Sequence, residues 1–287
     1  SRAPEPDRAI AGMGGRAEVP MDREELVRRA QEADLVSGES LCQLDLRGAD
    51  LAALRFDHCQ LDRLDLRGAD LTDCQFLHCR LQHCRLEGAQ LTGTVFYGSE
   101  LTSVSVAEGR IENANWHQCQ LRGVIFDRVQ LRFASFSHGQ LEEVCFREAR
   151  LEQLIMANLT CGTLDFTDAH LERTVLLECD LRRADFAKAH FEFVVLTKSK
   201  LAGQRFSGQS FAFTQFSEAD LTGCDFSRAH LRQANFTSAH MQGACFTGAQ
   251  APQAIFLQAK LEDADFADAD LTQAIWQGAQ APRTSFL

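Results

Sequence analysis

Every fifth residue from Leu41 to Phe286 is apolar. The series holds fifty positions: 23 Leu, 18 Phe, and Val106, Ile111, Trp116, Met156, Cys161, Met241, Ala251, Trp276 and Ala281. The phase never slips. Such a repeat constrains the fold more than any other feature of the chain. A period of five matches neither the 3.6 of a helix nor the 2 of a strand, so the backbone must turn a corner in every unit.

A second regular position lies two residues before each of these. It is Ala at 21 of 49 sites, and most of the others are Cys, Thr, Ser, Gly or Val. A large and a small residue in each unit therefore face inward. Charge supports this register: from Leu41 onward neither position holds Asp, Glu, Lys or Arg. Unpaired charge is too costly to bury and is confined to the three remaining positions.

With "GADLTDCQF", "EADLTGCDF" and "DADLTQAIW" on the page, the chain resembles the pentapeptide-repeat family over residues 41–287. The resemblance implies an all-β fold, a right-handed quadrilateral β-solenoid with four units and twenty residues per coil. About twelve coils stacked at ~4.8 Å would make a rod of roughly 60 Å. Leu and Phe mostly alternate along the register, which predicts Leu ladders on two opposite sides and Phe ladders on the other two.

The stretch "LHCRLQHCRL" at 77–86, with His58-Cys59 before it, has the look of a metal site. The register argues otherwise. Cys59, Cys79 and Cys84 take the small inward position, while His58, His78 and His83 fall on outer corners, so their ligand atoms do not converge tetrahedrally. No metal and no cofactor are expected. Eight of the eleven Cys are inward; Cys42, Cys145 and Cys245 are not. Buried thiols act as small hydrophobes, and an odd number spread through a core predicts a reducing compartment, the bacterial cytoplasm, with carriage by a secretion apparatus as an extension of that reading.

The first forty residues lack the repeat. Residues 1–20 are rich in Pro, Gly and Arg and read as a disordered tail or linker; the missing initial Met fits a cloning remnant or a piece of a longer protein. Residues 21–40 read as a capping helix and lead-in. Asp22 can cap it with Glu25 as capping-box partner, and Leu26, Val27, Ala30 and Ala33 form an apolar stripe that would cover the open end of the first coil, which otherwise presents bare strand edges.

Catalysis finds no support: there is no G-x-S-x-G, Walker loop or G-x-G-x-x-G. The Asp of "RGAD" precedes an inward Leu, where it reads as solvated or turn-bonding. His170, His190 and His230 share one column and read as surface residues, and the Asn158-Leu-Thr160 match is discounted as a glycosylation site. There is neither a transmembrane run nor a signal-peptide pattern, so no membrane is expected. The net charge of −11 disfavours direct binding to nucleic acid.

Function is therefore sought on the outer faces. The first side (Leu61, Leu81, Leu121) carries eight basic and eight acidic residues, the second (Leu66, Leu86, Phe126) eight and twelve, and the third (Leu71, Leu91, Leu131) five and eight. The fourth side (Phe76, Phe96, Phe136) has only Arg55 and Lys198 against Asp57, Glu178 and Glu218. It carries Val95, Ile155, Val175, Val195, Ile255 and Ile275, then Tyr97, Leu177 and Leu257, with Leu77 beside them. Phe133, Phe193 and Phe213 share the corner just before it. These residues are expected to form one apolar strip that binds a protein partner. β-branched preference for strands does not account for it, because the first side has no aliphatic residue at the matching positions.

The segment "MDREELVRRAQEADLVSGESLCQLDLRGADLAALRFDHC" is similar to the lead-in of the repeat tail in accessory proteins of bacterial type VI secretion. That resemblance implies an adaptor or chaperone for effector loading, with an effector or secretion component as partner. The larger N-terminal domain of those proteins is not in this sequence. The alternative is the gyrase-protecting branch of the family, which mimics DNA; the acidic excess, four on the second side and three on the third, is modest for it. A homodimer through the C-terminal coil near Phe286 is a separate expectation.

Overall fold

A computed structural model gives the fold and describes residues 21–286. The tail expected at 1–20 lies outside the described residues. The chain is an all-β parallel solenoid with one short helix, α1 (Arg23–Gln31), ahead of it.

Each side of a coil is a short extended stretch, in places a three-residue strand whose register residue is buried between two more exposed neighbours, as in Gln60–Asp62 and Val95–Tyr97, and in others an isolated bridge such as Asp45 with Asp65. Neighbouring coils pair in parallel at a shift of twenty: Leu41 faces Leu61, and Phe56 faces Phe76. The corner is closed by a bond such as the Ala49 N–H to the Leu46 carbonyl, 3.0 Å. Just before that donor sits a corner residue with positive φ. Many corners hold Gly, but His58 (φ 52°), Arg63 (52°) and Phe193 (53°) also take it. Among the described residues no Val, Ile or Thr does so, as expected where a branched Cβ would clash in the left-handed region.

The register reaches back one unit further than the sequence pattern suggested. Val36, five before Leu41, is fully buried, and its strand Leu35–Ser37 pairs with Arg55–Asp57. The count of about twelve coils needs correction in kind. A continuous strand ladder runs through eight turns on the fourth side, from Leu35–Ser37 to Val175–Leu177. Beyond it the coils are joined by isolated bridges, the last between Asp265 and Ser285.

Aromatic columns run along the second side from Phe126 onward and along the fourth except at Met156, Leu176 and Leu196, so the predicted alternation holds in part. Phe56, Phe76, Phe96, Trp116 and Phe136 stack at 4.5–5.4 Å with ring planes within 8°. Across the core, Phe126 meets Phe136 edge-on at 5.7 Å. Offset stacking and edge contacts are the arrangements that aromatic quadrupoles favour. The third side departs from the Leu rule at Phe191 and Phe211.

The helix α1 covers the first coil. Leu26 and Ala30 are buried, and Arg23 donates to the Asp45 and Arg47 carbonyls at 3.0 Å each. Asp22 caps it by accepting from the Glu25 N–H at 3.0 Å. Glu25 is not the reciprocal partner expected: Arg28 and Arg29 take its carboxylate, and those bonds hold its pKa near about 2. Ala33 is exposed and does not belong to the stripe, because the helix has ended and its φ is 48°.

Candidate interaction surface

The small inward position does more than fill space. Where it carries a donor, the donor in most units bonds the carbonyl of the register residue 23 before it; Cys79 and Thr214 are exceptions. Cys74 Sγ donates to the Leu51 carbonyl at 2.9 Å, Thr94 Oγ1 to Leu71 at 2.9 Å, Ser99 Oγ to Phe76 at 2.9 Å and Cys119 Sγ to Phe96 at 3.3 Å. A buried carbonyl that would otherwise lack a second partner is thus satisfied. Burial pushes the Cys74 and Cys224 thiols up to about 12, and Cys84 and Cys119 up to about 11. These groups remain protonated donors rather than thiolate nucleophiles.

The His-Cys pairs point apart. His58 contacts Asp57 at 2.8 Å and His83 contacts Asp62 at 3.2 Å, both outside, while Cys59 and Cys84 donate inward to the Val36 and Leu61 carbonyls. Among the described residues no three His, Cys, Asp or Glu side chains gather in a metal-holding group. The Asp before an inward residue is turn-bonding: Asp70 accepts from the Thr72 N–H at 2.9 Å and Asp225 from the Ser227 N–H at 2.9 Å. His170 and His190 stack at 4.5 Å, whereas His230 turns to Gln250.

The apolar residues of the fourth side do lie outward, but as three patches rather than one strip. Ile155, Val175 and Val195 follow one another in adjacent coils. Towards Val95 the ladder passes through Ser135 and Asn115, and towards Ile255 through Gln215 and Asn235. The first patch is Val95 and Tyr97, with Tyr97 set between His78 and His117. The last is Ile255, Leu257 and Ile275. The central patch is the largest. Ile155 is 47% exposed, and Phe133 and Phe193 are each 45% exposed on the corner beside it. Phe193 stacks on Phe213 at 5.4 Å, and Arg132 lies over the Phe133 ring at 5.2 Å. At the far corner Lys198 sits between Glu178 (3.8 Å) and Glu218 (4.0 Å). The few charges of this side are thereby largely compensated.

On the second side the acids of the earlier coils are paired, whereas Glu148, Asp168, Asp185, Asp225, Asp265 and Asp268 form no ion pair among the described residues. Arg67 holds Asp65 at 2.6 Å, Arg128 holds Glu108 at 2.6 Å and Arg147 holds Asp127 at 2.9 Å. The first of these pairs depresses the Asp65 pKa through the Arg67 hydrogen bond.

A parallel solenoid of five-residue sides, with turn-bonding Asp and inward Leu or Phe, defines a repeat protein with four outer faces. Family profiles agree. Pentapeptide repeats, in eight copies, match residues 40–73, 165–212 and 214–250, and a pentapeptide repeat region matches 67–136. The chain belongs to the pentapeptide-repeat family. Among solved structures it is similar to HetL, a pentapeptide repeat protein involved in heterocyst differentiation regulation from the cyanobacterium Nostoc sp. strain PCC 7120. Identity there is 22%, over 91% of this chain and 94% of that one, with a TM-score of 0.32. It is also similar to full-length QnrB1, a plasmid-mediated fluoroquinolone resistance protein, with 18% identity over 84% and 92% of the two chains and a TM-score of 0.24. Among curated proteins none matches the chain in sequence.

Proposed function

We propose that the chain is a non-catalytic interaction scaffold that holds a protein partner against its fourth side. The central patch of Phe133, Ile155, Val175, Leu177, Phe193, Val195 and Phe213 carries this reading. Large apolar groups there stand outward on a side with two basic and three acidic residues, and exposed apolar patches rimmed by charge mark interaction surfaces. Their bulk suits the buried centre of an interface, where few side chains supply most of the binding energy.

The finer reading is an adaptor or chaperone that helps load effectors in bacterial type VI secretion. It is supported by the lead-in segment, which here forms α1 and the first coil. The eleven free thiols, seven of them buried, favour a reducing compartment, and among the described residues no helix is long and apolar enough to cross a membrane. The DNA-mimic reading draws on the acidic excess of the second side. The Arg pairs at Asp65, Glu108 and Asp127 weigh against it over the earlier coils, because a phosphate mimic needs uncompensated charge.

Two substitutions test this. Phe193→Asp with Val195→Asp should leave folding intact, since both side chains point outward and Asp tolerates the positive φ at 193. The double variant should lose capture of the native partner from the source bacterium by at least tenfold. If capture survives, yet is lost on reversing the acids of the second side, and the chain inhibits DNA supercoiling by gyrase, the scaffold reading of the fourth side falls to the DNA mimic.

A further inference from the structure

Among the described residues the coils are bonded to one another all round except at two levels: a short gap on the first side, where no bridge joins Thr160 to Asp180, and a wider one a coil later. There, on the second and third sides, residues 184–193 face residues 204–213 without the usual ladder. Elsewhere a register residue donates to the carbonyl 19 ahead, as Phe166 does to Asp185 and Phe206 to Asp225, both at 2.7 Å. Among the described residues, the N–H groups of Phe186, Phe191, Phe193, Arg205 and Ser210 have no such partner. Bridges run from Asp165 to Asp185 and from Arg205 to Asp225, but none joins Asp185 to Arg205 or His190 to Ser210. At the same level the other two sides are closed. Leu181 donates to Lys200 at 2.8 Å and Leu196 to Gln215 at 2.7 Å.

The cause is visible in the core. The small inward position, elsewhere mostly Ala, Cys or Thr, holds Gln204 and Gln209 here. Gln204 Nε2 replaces the missing ladder by donating to the Leu181 and Ala184 carbonyls, both at 2.8 Å, and Gln209 Nε2 donates to Phe186 at 3.2 Å. The third side, elsewhere mostly Leu, holds Phe191 and Phe211. Four rings then crowd two coils, with Phe206 against Phe211 at 4.9 Å and 72°. The column of parallel Phe rings, spaced 5.1 Å from Phe146 to Phe186, opens to 6.1 Å and 46° between Phe186 and Phe206. Thr94 and Thr174 bond the carbonyl 23 before them. Thr214, whose counterpart would be Phe191, has a buried Oγ1 with no partner, as has the Oε1 of Gln209. Overfilled cores move backbone, and here the displacement is confined to one corner of the square.

We infer that the rod is two stiff arms joined by a one-sided hinge at this level. The closed edge lies along the first and fourth sides, and the wedge opens on the second and third. Bending changes few contacts, because the ladder that would resist it is already absent where the wedge opens. The central apolar patch straddles this level: Ile155, Val175 and Phe193 lie on one arm and Phe213 on the other. The angle of the hinge therefore sets the curvature of that surface.

Hydrogen exchange on the full chain reads the wedge directly. The amides of Phe186, Phe191, Phe193, Arg205 and Ser210 should exchange at least a hundredfold faster than those of Leu181 and Leu196 at the same level. Equal protection would overturn the break. Spin labels on an unnatural ketone side chain then read the motion. A pair at Asn113 and Gln233 spans the hinge, and a pair at Ala53 and Arg173 spans as many coils within one arm. Each pair should sit about 29 Å apart on the strand spacing, with a distance distribution at least twofold broader for the first pair. Equal widths would show a rigid defect and refute the hinge. A variant carrying Gln204→Ala, Gln209→Ala, Phe191→Leu and Phe211→Leu should narrow the first distribution and slow the five amides. If that variant folds and leaves both unchanged, the packing cause assigned here is wrong; the wild-type measurements do not depend on it.

Discussion

Phe136 stacks on Trp116 at 4.5 Å, meets Phe126 and Phe146 edge-on, and is 1% exposed. No cation lies within the ring column to pair with a charge placed there. Phe136→Asp should therefore lower stability by roughly 3–5 kcal/mol, through an unpaired buried carboxylate and a lost aromatic side chain; a wild-type-like urea midpoint would contradict the register. A second residue reports on pH. Burial, and then the neighbouring His190, lower the His170 pKa below its ordinary 6.5. The folded state thus resists the proton that the unfolded chain accepts. The contribution of neutral His170 to stability is present above about 6.5 and is lost as pH falls through and below that value. Thermal melting between pH 7.5 and 5.5 should show a decline that His170→Gln reduces.

At the scale of the ladder, one glycine is required for room rather than for φ. A Cβ added at Gly139 would stand 2.3 Å from the Cys119 carbonyl oxygen and 3.2 Å from its amide nitrogen, both backbone. Gly139→Ala, harmless at most small positions of this repeat, should cost about 1–3 kcal/mol by denaturant titration. The ladders were legible in the sequence because charge exclusion acts on one position at a time. Leu41 to Phe286 could be read unit by unit, and so could the outward placing of Phe193 and the turn-bonding Asp70. The wedge could not be read that way. Gln204, Gln209, Phe191 and Phe211 each satisfy the rule that bars charge from the interior, and only their summed volume over two coils breaks the ladder. The thiol bonds were equally hidden, since Cys74 looks like filler until the carbonyl of Leu51 is placed beside it. The apolar strip was overdrawn for a related reason: counting aliphatics by side did not show that Gln215 and Asn235 separate the central patch from Ile255.

For the whole molecule, stability and surface layout obey different arithmetic. Any register residue is held by its five-residue unit, but its side is decided by its place in a coil of twenty, as the pairing of Leu41 with Leu61 shows. Five extra residues at the Gly248 corner, copied from a neighbouring unit, would keep every later apolar side chain inward. They would also carry Ile255, Leu257 and Ile275 from the fourth side to the first. The melting temperature should move little, whereas a partner that reaches the last patch should bind more weakly, and an insert of twenty should restore it. Equal binding by both inserts would confine the contact to the central patch. Lineages of such a rod can then lengthen it by duplicating whole coils without disturbing what it displays. Duplication of a single unit rearranges the display while leaving the fold intact, so one small genetic event can offer the same core to a different partner.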